Sequence, residues 1–405
     1  MNAPFAVSLL ATVELAPKDP ILGVTEAFNA DTNPKKVNLG VGVYCDDTGK
    51  VPLLECVRRA EREITDKAAP RSYLPIDGLP IYDKTVRSLL FGADSDAVTS
   101  GRTVTVQAIG GTGALKVGAD FLHKFAPGAQ VWISDPSWEN HRALFEGAGF
   151  IVNNYPYYNA ATHGLDFEGM LAALDGAPPG SIVVLHACCH NPTGVDPSEA
   201  QWGQIIDVVR TRALVPYVDI AYQGFAVGLV ADGMIVRRFA ATPGPLLVAS
   251  SFSKSFSLYG ERVGALSVVT ADKDEAARVL SQLKRVVRAN YSNPPTHGGQ
   301  MVATVLTSPE LTPMWETELG AMRERIRAMR RMLVDKLHER KQDADFRFVL
   351  EQRGMFSYSG LTKDQVRRLR EEFSVYALDT GRICVAALNS RNIDYVADAI
   401  TTVLT

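Results

Sequence analysis

The sequence predicts an α/β protein: a mostly parallel sheet covered by helices on both faces, joined to a smaller α+β domain. Three observations carry that reading. Between Val104 and Val269, short apolar runs alternate with segments whose apolar residues recur at helical spacing. The runs are apolar nearly throughout, as expected of strands buried on both faces. After about Pro309 the pattern changes to one long amphipathic stretch followed by short mixed elements.

In chain order, strand Val104–Ala108 leads through a glycine turn into helix Ala114–Phe125. Strand Val131–Ser134, helix Trp138–Ala148 and strand Phe150–Tyr155 follow. The series resumes with strand Ile182–His186, helix Ser198–Thr211, strand Val215–Asp219, and strands Leu246–Ser250 and Ala265–Val269. A sheet of this kind binds ligands beyond the carboxyl ends of its strands. The long pattern through Met314, Leu319, Met322, Ile326, Met329 and Leu333 predicts a helix running to Arg340. Strand Phe346–Leu350, helix Lys363–Phe373 and strand Ile383–Ala387 complete the second domain. Residues 1–50 lack a helix-strand series of their own and are expected to pack with residues 311–405, leaving 51–310 as the large domain. There is no internal repeat or low-complexity tract.

With 405 residues, 46% hydrophobic and 21% charged, the composition is that of a globular protein with material for a large core. A net charge of -3 gives no basic face for nucleic acid, and the run Arg323–Arg331, broken by Ile326 and Met329, reads as a solvated helix face. No stretch approaches the roughly 18 apolar residues of a membrane span, and Met1–Ala11 lacks a basic flank and a cleavage pattern. Five cysteines, odd in number, argue against a disulfide framework. A cytoplasmic protein is expected.

The chemistry concentrates at strand ends. Ser250–Gly264 sets Lys254 among serines, with Arg262 eight residues later. A lysine amine can hold a phosphorylated aldehyde as a Schiff base, serine hydroxyls can donate to its phosphate, and a guanidinium can grip it in a fork. Gly110, Gly111, Thr112 and Gly113 feed a helix N-terminus, where backbone N–H groups suit an anion, although the same pattern serves as a plain turn. The segment fits neither a Walker loop nor the dinucleotide fingerprint. Asp219 ends a strand and can pair with a protonated pyridine nitrogen, while Tyr222 and Asn191 can hydrogen-bond a phenolic oxygen; read alone, each is an ordinary cap, core or turn residue. Trp138 can stack on a planar ring or simply fill the core.

Two competing constellations stand beside this one. His186, Cys188, Cys189 and His190 look like metal ligands, but neighbours on an extended segment point to opposite faces, so no metal site is expected without a sharp turn. Ser251-Phe252-Ser253-Lys254 fits the S-x-x-K pattern of penicillin-recognising serine hydrolases, with Tyr291-Ser292-Asn293 as a second motif. That pattern works from a helix, whereas here it follows a strand, and K-T-G is absent.

From Asp19 to the C-terminus the chain resembles the fold-type I, class I pyridoxal-phosphate aminotransferases of the aspartate and aromatic-amino-acid group. The likeness rests on the glycine turn, D-P-S-W-E-N-H, C-C-H-N-P-T-G, D-I-A-Y-Q-G-F, S-F-S-K, R-A-N-Y-S-N-P-P, G-M-F-S-Y-S-G-L and G-R-I-C-V-A. It implies a seven-stranded sheet, pyridoxal 5'-phosphate as cofactor, and a homodimer with shared sites. It further implies that Lys254 carries the cofactor and moves the proton, that Asp219 pairs with the ring nitrogen, backed by His141, and that Tyr222 and Asn191 hold the ring oxygen. Gly111, Thr112, Ser251, Ser253 and Arg262 would bind phosphate, and Trp138 would stack. Arg382, with Asn191 and the Gly42 backbone, would hold the substrate α-carboxylate. Tyr73 and Arg288 would reach the partner's phosphate and distal carboxylate.

The implied reaction moves the amino group of tyrosine, phenylalanine or aspartate to 2-oxoglutarate in two half-reactions. Cys45, Val51 and Ser72 stand where aspartate-preferring relatives carry lysine, threonine and asparagine, which favours an aromatic substrate, whereas Thr112 and Asn293 resemble the aspartate type. A strict aspartate aminotransferase is the alternative. A β-lyase or decarboxylase can use the same lysine, and the fold can also serve as a ligand-sensing regulatory module.

Overall fold

The computed structural model describes residue 8, residues 10–16 and residues 22–405. The expectation about the first eleven residues falls largely outside that set, as does the start of the family likeness at Asp19–Ile21. Seven strands form the central sheet: β1 (Thr103–Ile109), β2 (Gln130–Asp135), β3 (Ile151–Pro156), β4 (Ile182–His186), β5 (Val215–Ile220), β6 (Leu246–Ser251) and β7 (Val263–Val269). They lie in the order β1-β7-β6-β5-β4-β2-β3. Strand β2 pairs in parallel with β3 and β4, β4 with β5, and β5 with β6, while β7 runs antiparallel to both neighbours. These are the seven runs marked by the sequence, with ends within two residues of those predicted.

Alternate residues of each strand serve opposite faces. On β4, Ile182 and Val184 pack in a core with Leu115, Tyr217 and Leu247, whereas Val183 and Leu185 pack in another with Ile206, Val218 and Phe239. A strand with apolar partners on both sides has no polar face to show, hence the apolar run Ile182–Leu185. The helix Glu199–Thr211 starts at a capping box, in which Ser198 Oγ accepts from the Gln201 N–H and Gln201 Oε1 from the Ser198 N–H. Thr362 and Gln365 start Lys363–Phe373 in the same way.

The long pattern is one helix, Leu311–Arg340, which buries Leu319, Met322, Ile326, Met329 and Leu333. Its arginine run is not wholly a solvated face. Arg330 is buried and donates to the carbonyls of Val349, Gly354 and Phe356. Long side chains can turn inward where backbone acceptors need donors, which apolar spacing does not reveal.

Two predicted elements differ, and the N-terminal segment holds elements that were not predicted. Residues 346–350 are not a strand: Asp345 accepts from the Arg347 N–H, and that turn opens the short helix Phe348–Glu351, burying Phe346 and Val349 three apart. The strand predicted at Ile383–Ala387 is Arg382–Cys384 followed by a 3₁₀ turn, and it pairs antiparallel with Phe356–Tyr358, a strand not read from the sequence. Near the N-terminus there is a helix, Leu22–Ala30, and a short strand, Val37–Asn38, which pairs with Val375–Tyr376. Among the described residues no helix is long and apolar enough to cross a membrane. All five cysteines are free thiols.

Candidate active site

A cavity of about 310 Å³ opens where β4, β5 and β6 end. It is lined by Gly42, Gly111, Thr112, Trp138, Asn191, Asp219, Tyr222, Ser251, Ser253, Lys254, Arg262 and Arg382. Parallel strands deliver their last residues to one edge, and so residues far apart in sequence converge. Of the residues singled out from the sequence, Tyr73 and Arg288 do not join them. Tyr73 is 92% exposed, and Arg288, exposed in the last turn of Lys273–Tyr291, bonds Ser292.

One end of the cavity is an anion cradle. The glycine turn is itself the first turn of Gly110–Phe125, which begins four residues before the predicted start. Gly110 sits at φ +66, and a Cβ there would lie 2.4 Å from Arg262 Nη2. Only glycine lets the guanidinium come down onto the helix N-terminus, where N–H groups and the helix dipole add to its field. The Gly110 N–H donates to the Arg262 carbonyl at 3.0 Å, and Arg262 Nη1 donates to Ser253 Oγ at 3.2 Å and the Tyr259 carbonyl at 3.0 Å.

At the centre, Lys254 follows β6 in a turn, with its Nζ 4.9 Å from the centroid of the Tyr222 ring. Burial, aided by Arg262 and Arg382, lowers its pKa from 10.5 to about 8, although Asp219 pulls the other way. Burial acts on Asp219 too, pushing its pKa up, but the hydrogen bond from His141 and the neighbouring charges prevail and leave it below the usual carboxylate range. His141 Nε2 lies 3.0 Å from Asp219 Oδ2, and His141 Nδ1 lies 2.9 Å from Ser137 Oγ. The carboxylate is held ionised in a buried place.

The opposite end holds Arg382, 1% exposed, whose Nη1 donates to Asn191 Oδ1 at 2.9 Å and Nη2 to the Gly40 carbonyl at 2.7 Å. Its Nε is buried without a hydrogen bond among the described residues. The guanidinium carbon sits 4.2 Å from the Phe356 ring centroid. Asp219 is the carboxylate that lines the cavity, and it pairs with His141 rather than with Lys254, Arg262 or Arg382. Three cations therefore face one carboxylate, and the site calls for an anionic ligand with charge at both ends.

The structure also assembles residues that the sequence left without a role. Phe356, within G-M-F-S-Y-S-G-L, and Tyr259, within the Ser250–Gly264 stretch, both line the cavity. His186 lines it as well; burial lowers its pKa to about 3, and neither ring nitrogen has a hydrogen bond among the described residues. Its ligating atoms lie within 4.8 Å of those of His141 and Asp219, a set different from the His186, Cys188, Cys189 and His190 run. Cys45 does not line the cavity but faces a neighbouring groove with Asn389, and Val51 is exposed.

The sequence profile described as aminotransferase class I and II matches residues 34–400. The chain belongs to that family. An aspartate aminotransferase of Pseudomonas aeruginosa is 60% identical over 98% of this chain and 100% of its own length. An aromatic-amino-acid aminotransferase of Escherichia coli is 49% identical over 95% of this chain and 98% of its own. The structure of an aromatic-amino-acid aminotransferase from Burkholderia pseudomallei, covalently bound to pyridoxal phosphate, superposes with a TM-score of 0.96 at 65% identity, covering 98% of this chain and 100% of that one. Membership in the aminotransferases removes the serine-hydrolase reading, and Ser251 indeed ends a strand rather than sharing a helix with Lys254.

Proposed function

We propose that this chain is a pyridoxal-phosphate aminotransferase that moves the amino group of tyrosine, phenylalanine or aspartate to 2-oxoglutarate. The observation that carries the reading is the buried Lys254 set between the Arg262 cradle and the Asp219–His141 pair, with Arg382 across the cavity. The residues fit the cofactor: a helix N-terminus with an arginine at one end for a phosphate, and an ionised buried carboxylate for a protonated pyridine nitrogen.

When bound, the cofactor supplies an electron-withdrawing ring conjugated to the substrate nitrogen. Ser251, Ser253, Gly111, Thr112 and Arg262 hold the phosphate, and Asp219 keeps the ring nitrogen protonated. Tyr222 and Asn191 hold the ring oxygen, with Asn191 Oδ1 fixed by Arg382 so that its amide N–H faces the cavity. Arg382 binds the substrate carboxylate in a fork, with Trp138 and Gly42 as walls. Once free of the cofactor, Lys254 Nζ would be the base that moves the proton from the substrate Cα.

Exposed Tyr73, Val51 and Leu53, with Arg288 at a helix end, support a homodimer in which Tyr73 and Arg288 complete the partner's site. The pairing of Val37–Asn38 with Val375–Tyr376 supports grouping residues 1–50 with 311–405, apart from 51–310. Free thiols support a cytoplasmic setting.

A strict aspartate preference is the second reading, favoured by the P. aeruginosa relative. Purified protein mixed with pyridoxal phosphate should show a visible band that shifts on adding an amino acid. Comparing kcat/KM for phenylalanine, tyrosine and aspartate decides substrate breadth, and a phenylalanine value orders of magnitude below that for aspartate refutes dual specificity.

A further inference from the structure

The cavity's wall on the Arg382 side is a strap, Gly42–Asp47, with no sheet of its own to hold it. Gly42 is pressed onto Phe356: a Cβ there would lie 2.6 Å from Phe356 Cζ. The Tyr44 N–H donates to Tyr259 Oη at 2.9 Å, the Cys45 N–H to the Ala386 carbonyl at 3.0 Å, and the Asp47 carboxylate accepts from the Ser390 N–H and Oγ. Arg325, midway along the helix Leu311–Arg340, reaches this strap from behind. Its guanidinium carbon lies 5.6 Å from the Tyr44 ring centroid, and its Nη2 donates to the Leu388 carbonyl at 2.8 Å and stands 3.6 Å from Asp47 Oδ1. Its Nη1 is buried without a hydrogen bond among the described residues.

We propose that Arg325 is a positioning residue for substrate binding: lying over the Tyr44 ring, hydrogen-bonded to the Leu388 carbonyl and ion-paired with Asp47, it fixes the strap whose Gly42 closes the cavity over Phe356 and Arg382. The inference rests on the aminotransferase reading above. A planar guanidinium can stack on a ring and bond in its own plane at once, whereas an ammonium cannot. Arg325 does not line the cavity, and among the described residues it makes no direct contact with the Arg262 cradle, to which it connects only through Tyr44 and Tyr259. Its loss should therefore weaken substrate binding and leave cofactor binding intact.

The test uses the cofactor-loaded enzyme and the variants Arg325→Met and Arg325→Lys. In Arg325→Met, KM for both amino acid and oxo acid should rise about tenfold with kcat within about twofold, and Arg325→Lys should recover part of the loss. The visible cofactor band should be unchanged. An unchanged KM in both variants overturns the proposal, as does a joint fall of kcat, cofactor retention and melting temperature, which marks a merely structural residue. If Arg325→Met is recovered unfolded, Arg325→Lys alone decides.

A second measurement needs no turnover. Half-buried Cys45 sits on the strap, and Arg325 offsets part of the burial that raises its thiol pKa. Removing the cation by itself slows alkylation by iodoacetamide at fixed pH, whereas a loosened strap speeds it. Faster labelling of the Cys45 peptide in Arg325→Met supports the proposal, and equal or slower labelling overturns it. Failure of the aminotransferase reading shows differently, as a wild-type protein without a cofactor band or turnover.

Discussion

Arg382→Lys is the sharpest test of how the site reads a substrate. Arg382 spends one nitrogen on Asn191 Oδ1 and another on the Gly40 carbonyl, and it keeps a buried Nε in reserve. Lysine's three N–H donors radiate from one nitrogen and lack the planar spread of the guanidinium, so turning them to a substrate carboxylate draws the donor away from Asn191 or Gly40. Truncating one partner of a buried, hydrogen-bonded charge pair costs about 2–5 kcal/mol. At about 1.4 kcal/mol per tenfold, this spans roughly 30-fold to several thousand-fold in kcat/KM. The lysine variant retains the charge and belongs at the low end, about 30- to 100-fold, with Arg382→Met at the high end. Steady-state kinetics on aspartate, phenylalanine and 2-oxoglutarate measure it, with the cofactor band and melting temperature as controls. Because the α-carboxylate is common to all three, the loss should be similar for each. A folded, cofactor-loaded Arg382→Lys with kcat/KM within threefold of wild type refutes the role, and a loss on aspartate and 2-oxoglutarate that spares phenylalanine reassigns Arg382 to the distal carboxylate.

Further outcomes follow from other parts of the cavity. Lys254→Ala should still bind pyridoxal phosphate but not turn over, and full activity in that variant would sink the assignment. Gly110→Ala places a methyl group 2.4 Å from Arg262 Nη2 at a positive φ, so cofactor affinity, read by titrating the visible band, should fall at least about tenfold, with a smaller effect on melting. Uptake of the aldehyde cofactor by the cofactor-free protein needs the neutral Lys254 amine, so stopped-flow rates should rise with pH and level off above about 8. The same shift has a stability sign: between about 8 and 10.5 the unfolded lysine holds more proton than the folded one, so the cofactor-free protein gains stability from this group as pH rises across that window. Lys254→Met should flatten that part of the pH–stability curve measured by denaturant titration.

Local pattern carried much of the architecture into view. The inner strands were legible because a sheet covered on both faces makes them largely apolar, as in Ile182–His186 and Leu246–Ser251, whereas the edge strand Ile151–Pro156 carries Asn153 and Asn154. Phe346–Leu350 misled because a short run with four apolar residues around Arg347 suits a strand or a helix turn equally, and the side chain of Asp345 decided for the turn. Arg330 was assigned to solvent because helical spacing says which residues face the core but not what a long side chain finds there.

The candidate site divides along the same line. Lys254, Asp219 and the glycine turn announced themselves because each ends or follows a strand and carries chemistry that such an edge can use, and Arg262 because it lies eight residues after Lys254 in the same serine-rich stretch. Arg382, Phe356 and Tyr259 did not, since an arginine at the start of a strand or an aromatic in a core looks the same wherever it is. Arg382 meets Asn191 across 191 residues of chain and Gly40 across 342. The sequence by itself determined the sheet, the lysine and its phosphate cradle, because these depend on short-range pattern and on residue type. The tertiary structure decided that three cations share one cavity with a single paired carboxylate, because charge balance in a buried site depends on residues that only the fold brings within reach of one another.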